Sequence, residues 1–510
     1  MGANFSNNYV NSVHLFDIGV WKVHKAKHKV TGEKVSIWQL NYPLMKVRER
    51  NKKNRRNYLK FIHTQIQRQQ QIKHPNLLKI LLVSEPSKEM AFIAEPVRTS
   101  LVDEKRFSRD ELILMISHIT SVVNFLHTTQ QLAILSICPE SIVLGRDYTP
   151  KITVLLHALH FTDPTQSLAH PYMPLRESVF HVPKEYWAPE WSNGGLMQMG
   201  SDAFQYGLLL EVLCFGSPSR EPKDIDRVSP EFQQLVRECL DQNPLSRPHF
   251  RDILEMDCLR STVAGAFLYI NSLDTKEAQD IYTFFSGIAK IFHVFSNRLQ
   301  NKLFIPLFIR YILKDERYSI ILIPLIMAQR PSEKILKQIQ PVFEYSRNPV
   351  LLEVLLRLPL PKNLYRNFLV PVALNAIISE DQKLMDHGVA KLNEALDTFE
   401  PTLLTGSLLN QFIDILGGSA DPKAGVIGLN AIAQRADNNI ILTRSYPIFV
   451  ELWMRKNPLP LGIVIFHFLR DLKVPTKSQL MYTLSLCAII AASDINIPEK
   501  TEILYYMDQI

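Results

Sequence analysis

The stretch Ile134–Leu144 reads ILSICPESIVL, with Ser136 and Ser141 on either side of a Pro139-Glu140 pair and an apolar close at Ile142-Val143-Leu144. Alone it is a weak signal, and its company decides the fold. Upstream stand HPNLLKIL (His74–Leu81), AFIAEPV (Ala91–Val97) and, just before it, NFLH (Asn124–His127). Downstream stand YWAPEW (Tyr186–Trp191), SDAFQYGLLLEVLCFGSPSREP (Ser201–Pro222) and CLDQNPLSRP (Cys239–Pro248). Six segments in this order and at these intervals make a strong signature, and they cover about residues 14–258.

A chain of 510 residues is too long for one core, so two or more domains are expected. Cys138, Cys214, Cys239, Cys258 and Cys487 lie far apart with no C-x-x-C pair, which argues against a disulfide framework or a zinc site and suits a reducing, intracellular compartment. No uncharged apolar run reaches the roughly 18 residues of a membrane span, and the N-terminus lacks an apolar signal core. A soluble protein is expected. Residues 1–60 carry thirteen Lys or Arg against three Asp or Glu, so the basic excess of the chain, +7 overall, is local.

Residues 1–12, small and Asn-rich, read as a flexible tail. Short β-favouring runs such as KVSIWQL follow, with Thr31-Gly32 as a hairpin signal. From Lys46 to Lys73 the sequence has no Gly or Pro and predicts one long helix; Asp110–His127 predicts another. Past about residue 260 strand signals fade. Apolar helical segments then repeat, several carrying a proline (Pro306, Pro324, Pro341, Pro371, Pro447). Each such helix must bury apolar surface on two neighbours, so stacked HEAT-like hairpins are expected over 262–510, with a single helical bundle as the alternative.

The six segments resemble a protein kinase domain, over residues 13–258. The fold class expected is therefore an α+β, bilobal kinase-like domain followed by an all-α HEAT-like solenoid. The resemblance implies structural roles for three residues: Glu190 of Ala188-Pro189-Glu190 pairing with Arg247, and Asp202 accepting backbone hydrogen bonds beneath the Ile134–Leu144 loop. The positions that would do chemistry differ. Trp38 stands where a strand lysine would neutralise phosphate, Gln65 where a helix carboxylate would pair with that lysine, Ser136 where a catalytic aspartate would accept the substrate proton, Ser141 where an asparagine would hold a metal, and Val154 (Val154-Leu155-Leu156) where an aspartate would hold magnesium. DIGVWKVHKA keeps a single glycine, Gly19, where three would let the backbone approach phosphates. Lys22 or Lys34 could in principle replace the lost cation, but magnesium wants carboxylates, and Asp147 and Asp163 are the nearest in sequence. The expectation is no catalysis, no cofactor, no metal and no small-molecule substrate. An unorthodox active kinase or ATP-binding protein is the alternative.

A degenerate kinase domain followed by HEAT-like helices resembles the Scy-like pseudokinases, and EPVRTSL (Glu95–Leu101) with EYWAPE (Glu185–Glu190) looks most like the coated-vesicle-associated branch. That resemblance implies a scaffold in vesicle trafficking, cytoplasmic and peripheral on Golgi, endosomal or coated-vesicle membranes, binding trafficking or coat proteins (clathrin or coatomer) through the helical repeats. The long polar tail that carries many of the family's coat-binding motifs does not follow here. LYYMD (Leu504–Asp508) fits a clathrin-box pattern, and also the apolar face of a last helix.

MGANFS matches the M-G-x-x-x-S pattern in which Gly2 is myristoylated. One acyl chain binds membranes weakly, so a second signal is needed. Lys46, Arg48, Arg50, Lys52, Lys53, Arg55, Arg56 and Lys60, with Glu49 as the only acid among them, would supply a basic surface for an anionic membrane. The same surface could hold RNA, giving an RNA-associated HEAT scaffold, but no nucleic-acid module accompanies it and aromatic interleaving is sparse. His157 and His160 have metal-compatible helical spacing without an acidic or cysteine companion, and read as packing residues.

Overall fold

The computed structural model describes residues 8–43, 52–88, 90–104, 107–163, 165–169, 182–194, 196–215, 230–418 and 423–455, with a few isolated positions beyond. The chain divides into two compact units, Met1–Leu307 and Phe308–Ile510.

The first unit opens with an antiparallel five-stranded sheet, order β1-β2-β3-β5-β4, made of β1 (Tyr9–Ile18), β2 (Trp21–His28), β3 (Lys34–Leu40), β4 (Ile80–Val83) and β5 (Ala91–Ala94). β5 is an unbroken apolar run, AFIA, because both of its faces are covered, and β3 buries Val35, Ser36, Ile37 and Trp38 in succession. Trp38 and Phe92 face the main core, while Val35, Ile37, Ala91 and Ile93 form a second buried cluster. Helix α1 (Lys52–Gln71) packs on the main core through Tyr58, Leu59, Ile62, Ile66 and Gln69, a stripe at three- and four-residue spacing. It ends where His74-Pro75 forbids another turn.

Below the sheet, β6 (Val97–Ser100) leads towards α2 (Arg109–Thr129). A capping box starts this helix: the Glu111 N–H donates to Ser108 Oγ, and the Ser108 N–H to Glu111 Oε2. By length and composition α2 could cross a membrane. It serves instead as a core helix, with Leu114, Met115, Ile119, Val122, Val123 and Leu126 buried. β7 (Leu132–Ala133) pairs with β10 (Leu159–His160), and β6, β8 (Ile142–Gly145) and β9 (Pro150–Ile152) form a three-stranded sheet. After α3 (Pro189–Gly194), helix α4 (Ser201–Phe215) has apolar residues on all sides and is accordingly buried. Tyr206 on α4 and Thr120 on α2 share a 2.6 Å hydrogen bond. Helices α5 (Pro230–Cys239) and α6 (Phe250–Leu254) complete this part.

The first unit continues past residue 258. Helix α7 (Thr262–Ile270) docks onto α2, and α8 (Ala278–Ile291) follows it, with Phe284 stacked on Tyr269 of α7. His118, fully buried on α2, donates from Nε2 to the Phe267 carbonyl at 2.9 Å; burial pulls its pKa down to about 4, so it stays neutral. Asn271 donates to Asn76 Oδ1 at 2.9 Å. The Ser296 N–H donates to Asp110 Oδ2 at 2.7 Å and its hydroxyl to Glu111 Oε1 at 3.0 Å. Arg298 donates to Tyr148 Oη at 2.6 Å and lies near Glu104 and Glu111. The break between compact units thus falls at 307/308, later than the 258–262 step in sequence texture.

The second unit is helical throughout its described residues. Helix Val370–Ile377 packs on Gln382–Leu396, and Leu409–Gly418 on Lys423–Ala433, as successive hairpins of a solenoid. Two approaches leave no space for a methyl group. A Cβ on Gly388 would come within 2.9 Å of the Ala373 carbonyl and of Ala376 Cβ, and one on Gly428 within 2.6 Å of the Phe412 ring. Pro324, Pro341 and Pro447 sit inside helices. Pro371 follows a π-helical turn, Tyr365–Leu369, whose wider winding accommodates the carbonyl that a proline leaves without its donor.

Candidate functional site

The cleft beneath the five-stranded sheet is where Val154, Ser136 and Ser141 converge, and Val154 shares a buried apolar cluster with Trp38. Between β1 and β2 the chain turns in two residues, Gly19-Val20, since Ile18 and Trp21 are already paired across the ladder. Gly19 takes φ 57°, a left-handed value suited to glycine. The turn folds Val20 and Trp21 inward, and both are buried.

Trp38 is completely buried on β3. Its ring stacks on Phe92 at 5.4 Å, and Trp21 meets the same ring edge-on at 5.0 Å. Its indole N–H donates to Ser36 Oγ at 3.0 Å, and Ser36 in turn donates to the Glu95 carbonyl at 2.6 Å. A buried indole with its one donor satisfied is a settled core residue.

The buried side chain that braces the Val154 segment is Gln69, which sequence reasoning missed. Gln65, expected at the functional position of α1, is only half-buried. One turn further on, Gln69 is 2% exposed and bonds three backbone groups: its amide donates to the Leu78 carbonyl at 3.0 Å and the Thr153 carbonyl at 2.9 Å, and its Oε1 accepts the Leu155 N–H at 2.8 Å. Gln69 therefore ties α1, the approach to β4 and the Val154-Leu155-Leu156 segment together. Val154 and Leu156 pack in the same apolar cluster as Trp38. A polar residue continuing the Tyr58, Ile62, Ile66 stripe was the available signal.

Below, the Ile134–Leu144 loop is held from beneath. Asp202 accepts the Ile134 N–H and the Leu135 N–H, both at 2.7 Å, and pairs with His127 Nε2 at 2.8 Å. Leu135 has φ 57°, a strained value for a branched side chain, and those bonds hold it there. Ser141 spends its hydroxyl on the loop, donating to the Cys138 carbonyl at 2.8 Å, and Ser136 is 5% exposed. Glu190 and Arg247 form a bidentate pair at 2.8 and 2.9 Å, with Ser201 donating to Glu190 at 2.6 Å. Burial pushes the Glu190 carboxyl up, but those charge-assisted bonds outweigh it and leave it below the ordinary range.

The space that remains is about 40 Å³, bordered by Gly19, Trp21, Ser136, Glu140, Ser141 and Val154 among others. Ligand pockets run to roughly 300–1,000 Å³. Glu140 is the one carboxylate among the described residues lining it, and burial raises its pKa. Asp147 and Asp163 lie elsewhere, each accepting from a threonine two residues on, Thr149 and Thr165. Lys22 and Lys34 are exposed and do not border the cleft. His157 is buried in a turn and His160 exposed on β10, so they do not share a helix. Among the described residues no three His, Cys, Asp or Glu side chains cluster as metal ligands.

Of the basic surface, Lys52, Lys53, Arg56 and Lys60 are exposed on α1. Arg55 is a correction: it is 9% exposed, because the turn that puts Tyr58, Leu59 and Ile62 on the core also turns Arg55 inward. Gly2, Lys46, Arg48, Arg50 and, Tyr505 apart, the Leu504–Asp508 stretch lie outside the described residues.

A family model for the protein kinase domain matches residues 19–259. The protein kinase-like protein SCY1 of Saccharomyces cerevisiae is 22% identical over 279 residues, a match covering 46% of this chain and 35% of the yeast protein. The chain thus matches about a third of the length of that curated relative.

Proposed function

Starting from residues 19–259 as a protein kinase domain and the chain as a Scy1-like relative, we propose that it is a catalytically silent scaffold for intracellular vesicle trafficking. One observation carries the silent half: the nucleotide cleft is filled by its own side chains, down to about 40 Å³. Trp38 occupies the place of the phosphate-binding cation, and Gln69 fastens the segment that would carry the magnesium ligand. Phosphoryl transfer depends on positioning and neutralising a triphosphate. This cleft supplies neither the room nor the charges.

The scaffold half is supported by the resemblance to the Scy-like family and by the second unit. There, a groove of about 720 Å³ is bordered by Tyr345, Leu374, Asn375, Ile378, Asn410 and Ile415, a mixed polar and apolar surface of the sort that takes a protein partner. Membrane attachment would combine a myristoylated Gly2 with the exposed cations of α1, on Golgi, endosomal or clathrin- or coatomer-coated vesicle membranes.

Thermal melting of the full chain with and without magnesium and ATP tests the silent half. The expected outcome is an unchanged midpoint and no transfer of labelled phosphate; a magnesium-dependent rise, or transfer abolished by a change within the cleft, overturns it. Proximity labelling in cells with Gly2 intact and as Gly2→Ala tests the trafficking half. Coat or Golgi and endosomal proteins should be recovered, and lost with the alanine.

A further inference from the structure

A second cleft, of about 460 Å³, opens where α1 ends and β4 begins, and it shares no lining residue with the nucleotide cleft. Its floor is apolar, with Ile72, Pro75, Leu77 and Ile80. Its walls are basic: Lys73 just past α1, Lys79 just before β4, and Lys151 on β9. The only acid among the described lining residues is Glu95, and it is already engaged. Its Oε2 lies 3.1 Å from Lys151 Nζ, and its Oε1 accepts the Lys79 backbone N–H at 2.8 Å. Lys151 also donates to the Pro75 carbonyl at 2.7 Å. Lys151 and Glu95 therefore cancel, while Lys73 and Lys79 stand exposed over an apolar floor with no lining acid left to answer them.

The wall is firm as well as charged. His74 stacks on Phe125 at 5.0 Å and accepts the Asn76 N–H at Nδ1, so its own proton sits on Nε2. Gln70 fixes the rim by donating to the Leu81 carbonyl at 2.9 Å. A site built this way needs little reordering to receive a ligand.

We propose that this cleft docks an extended acidic segment of a partner protein, in which aliphatic side chains alternate with carboxylates. An aliphatic side chain fills the floor between Ile72, Pro75 and Ile80, and the flanking carboxylates meet Lys73 and Lys79. A free phosphate or a lipid headgroup would satisfy the two ammonium groups but leave the floor wet, whereas a peptide with both characters covers it.

The test is fluorescence anisotropy on the full chain, with fluorescein-labelled octapeptides of alternating glutamate and leucine in both registers and matching glutamine-leucine controls. The expected result is saturable, salt-sensitive binding of a glutamate peptide, weakened about tenfold or more in Lys73→Glu/Lys79→Glu and unchanged in Lys52→Glu/Arg56→Glu. Both lysines are exposed, so the fold should survive; if the melting midpoint falls, Lys73→Gln/Lys79→Gln replaces the reversal. No binding in either register, equal binding of the glutamine controls, or equal binding by the lysine variants would each overturn the proposal. So would capture of phosphatidylserine vesicles, rather than peptide, through these two lysines.

Discussion

Gln69 Oε1 lies 2.8 Å from the Leu155 backbone nitrogen, so a side chain of α1 completes the hydrogen bonding of a segment 86 residues away. Gln69→Leu keeps the volume but strands three buried backbone groups. At roughly 1–3 kcal/mol for each, the unit should lose several kcal/mol, read as a large drop in the urea midpoint. Gln65→Leu, on a half-buried position, should change it little.

Trp38→Ala should cost about 3–5 kcal/mol, since it empties a fully buried ring site against Phe92. Trp38→Lys should be worse, because it buries an ammonium group, and Gln65 stands where a partner carboxylate would be. It should not create a thermal shift with magnesium and ATP. A restored shift would mean that the cleft opens more readily than its packing implies.

Glu190→Gln should destabilise by about 3–5 kcal/mol at neutral pH, leaving Arg247 buried and short of its counter-charge. The effect has a pH signature. The folded Glu190 carboxyl lies below its unfolded value. Its contribution is therefore complete above the unfolded carboxylate range and drains away as pH falls through the folded pKa. Urea titrations should converge for wild type and variant in acid, separate as pH rises through the folded pKa, and stay apart above the unfolded value of about 4.3.

Cutting the chain after residue 258 should give a poorly folding protein, whereas residues 1–307 should melt cooperatively. The shorter piece loses the Phe267 acceptor of fully buried His118, the Ser296 contacts to Asp110 and Glu111, and the Arg298 bond to Tyr148. A double-mutant cycle between Arg298→Ala and Tyr148→Phe should show coupling of about 0.5–3 kcal/mol. Additive losses would mean that the contact contributes nothing.

In the second unit, Gly388→Ala and Gly428→Ala should each lower stability by about 1–3 kcal/mol through overpacking, because the added methyl meets a backbone carbonyl in one case and the Phe412 ring in the other. Gly406→Ala, with open space around it, should be neutral or slightly stabilising.

The kinase-like fold was legible because the residues that brace it are chemically particular: an acid before a buried helix, a proline-flanked glutamate, an arginine in a fixed frame. The helical second half was legible from apolar periodicity. What escaped was Gln69, since an amide in a polar run looks like solvent-facing surface until the helix phase is set by Tyr58, Ile62 and Ile66. Arg55 misled for the same reason, because composition counts charge but does not say which way a turn points it. α7 shares the composition of the solenoid, yet its apolar face is committed to α2.

Asn271 reaches Asn76, between α1 and β4, while Arg298 reaches Tyr148, between β8 and β9, and the vicinity of Glu104, between β6 and α2. A hinge splinted along one flank cannot swing without tearing those bonds. The strut stiffens the first unit, so its two halves keep a fixed angle and anything fastened to one inherits the orientation of the other.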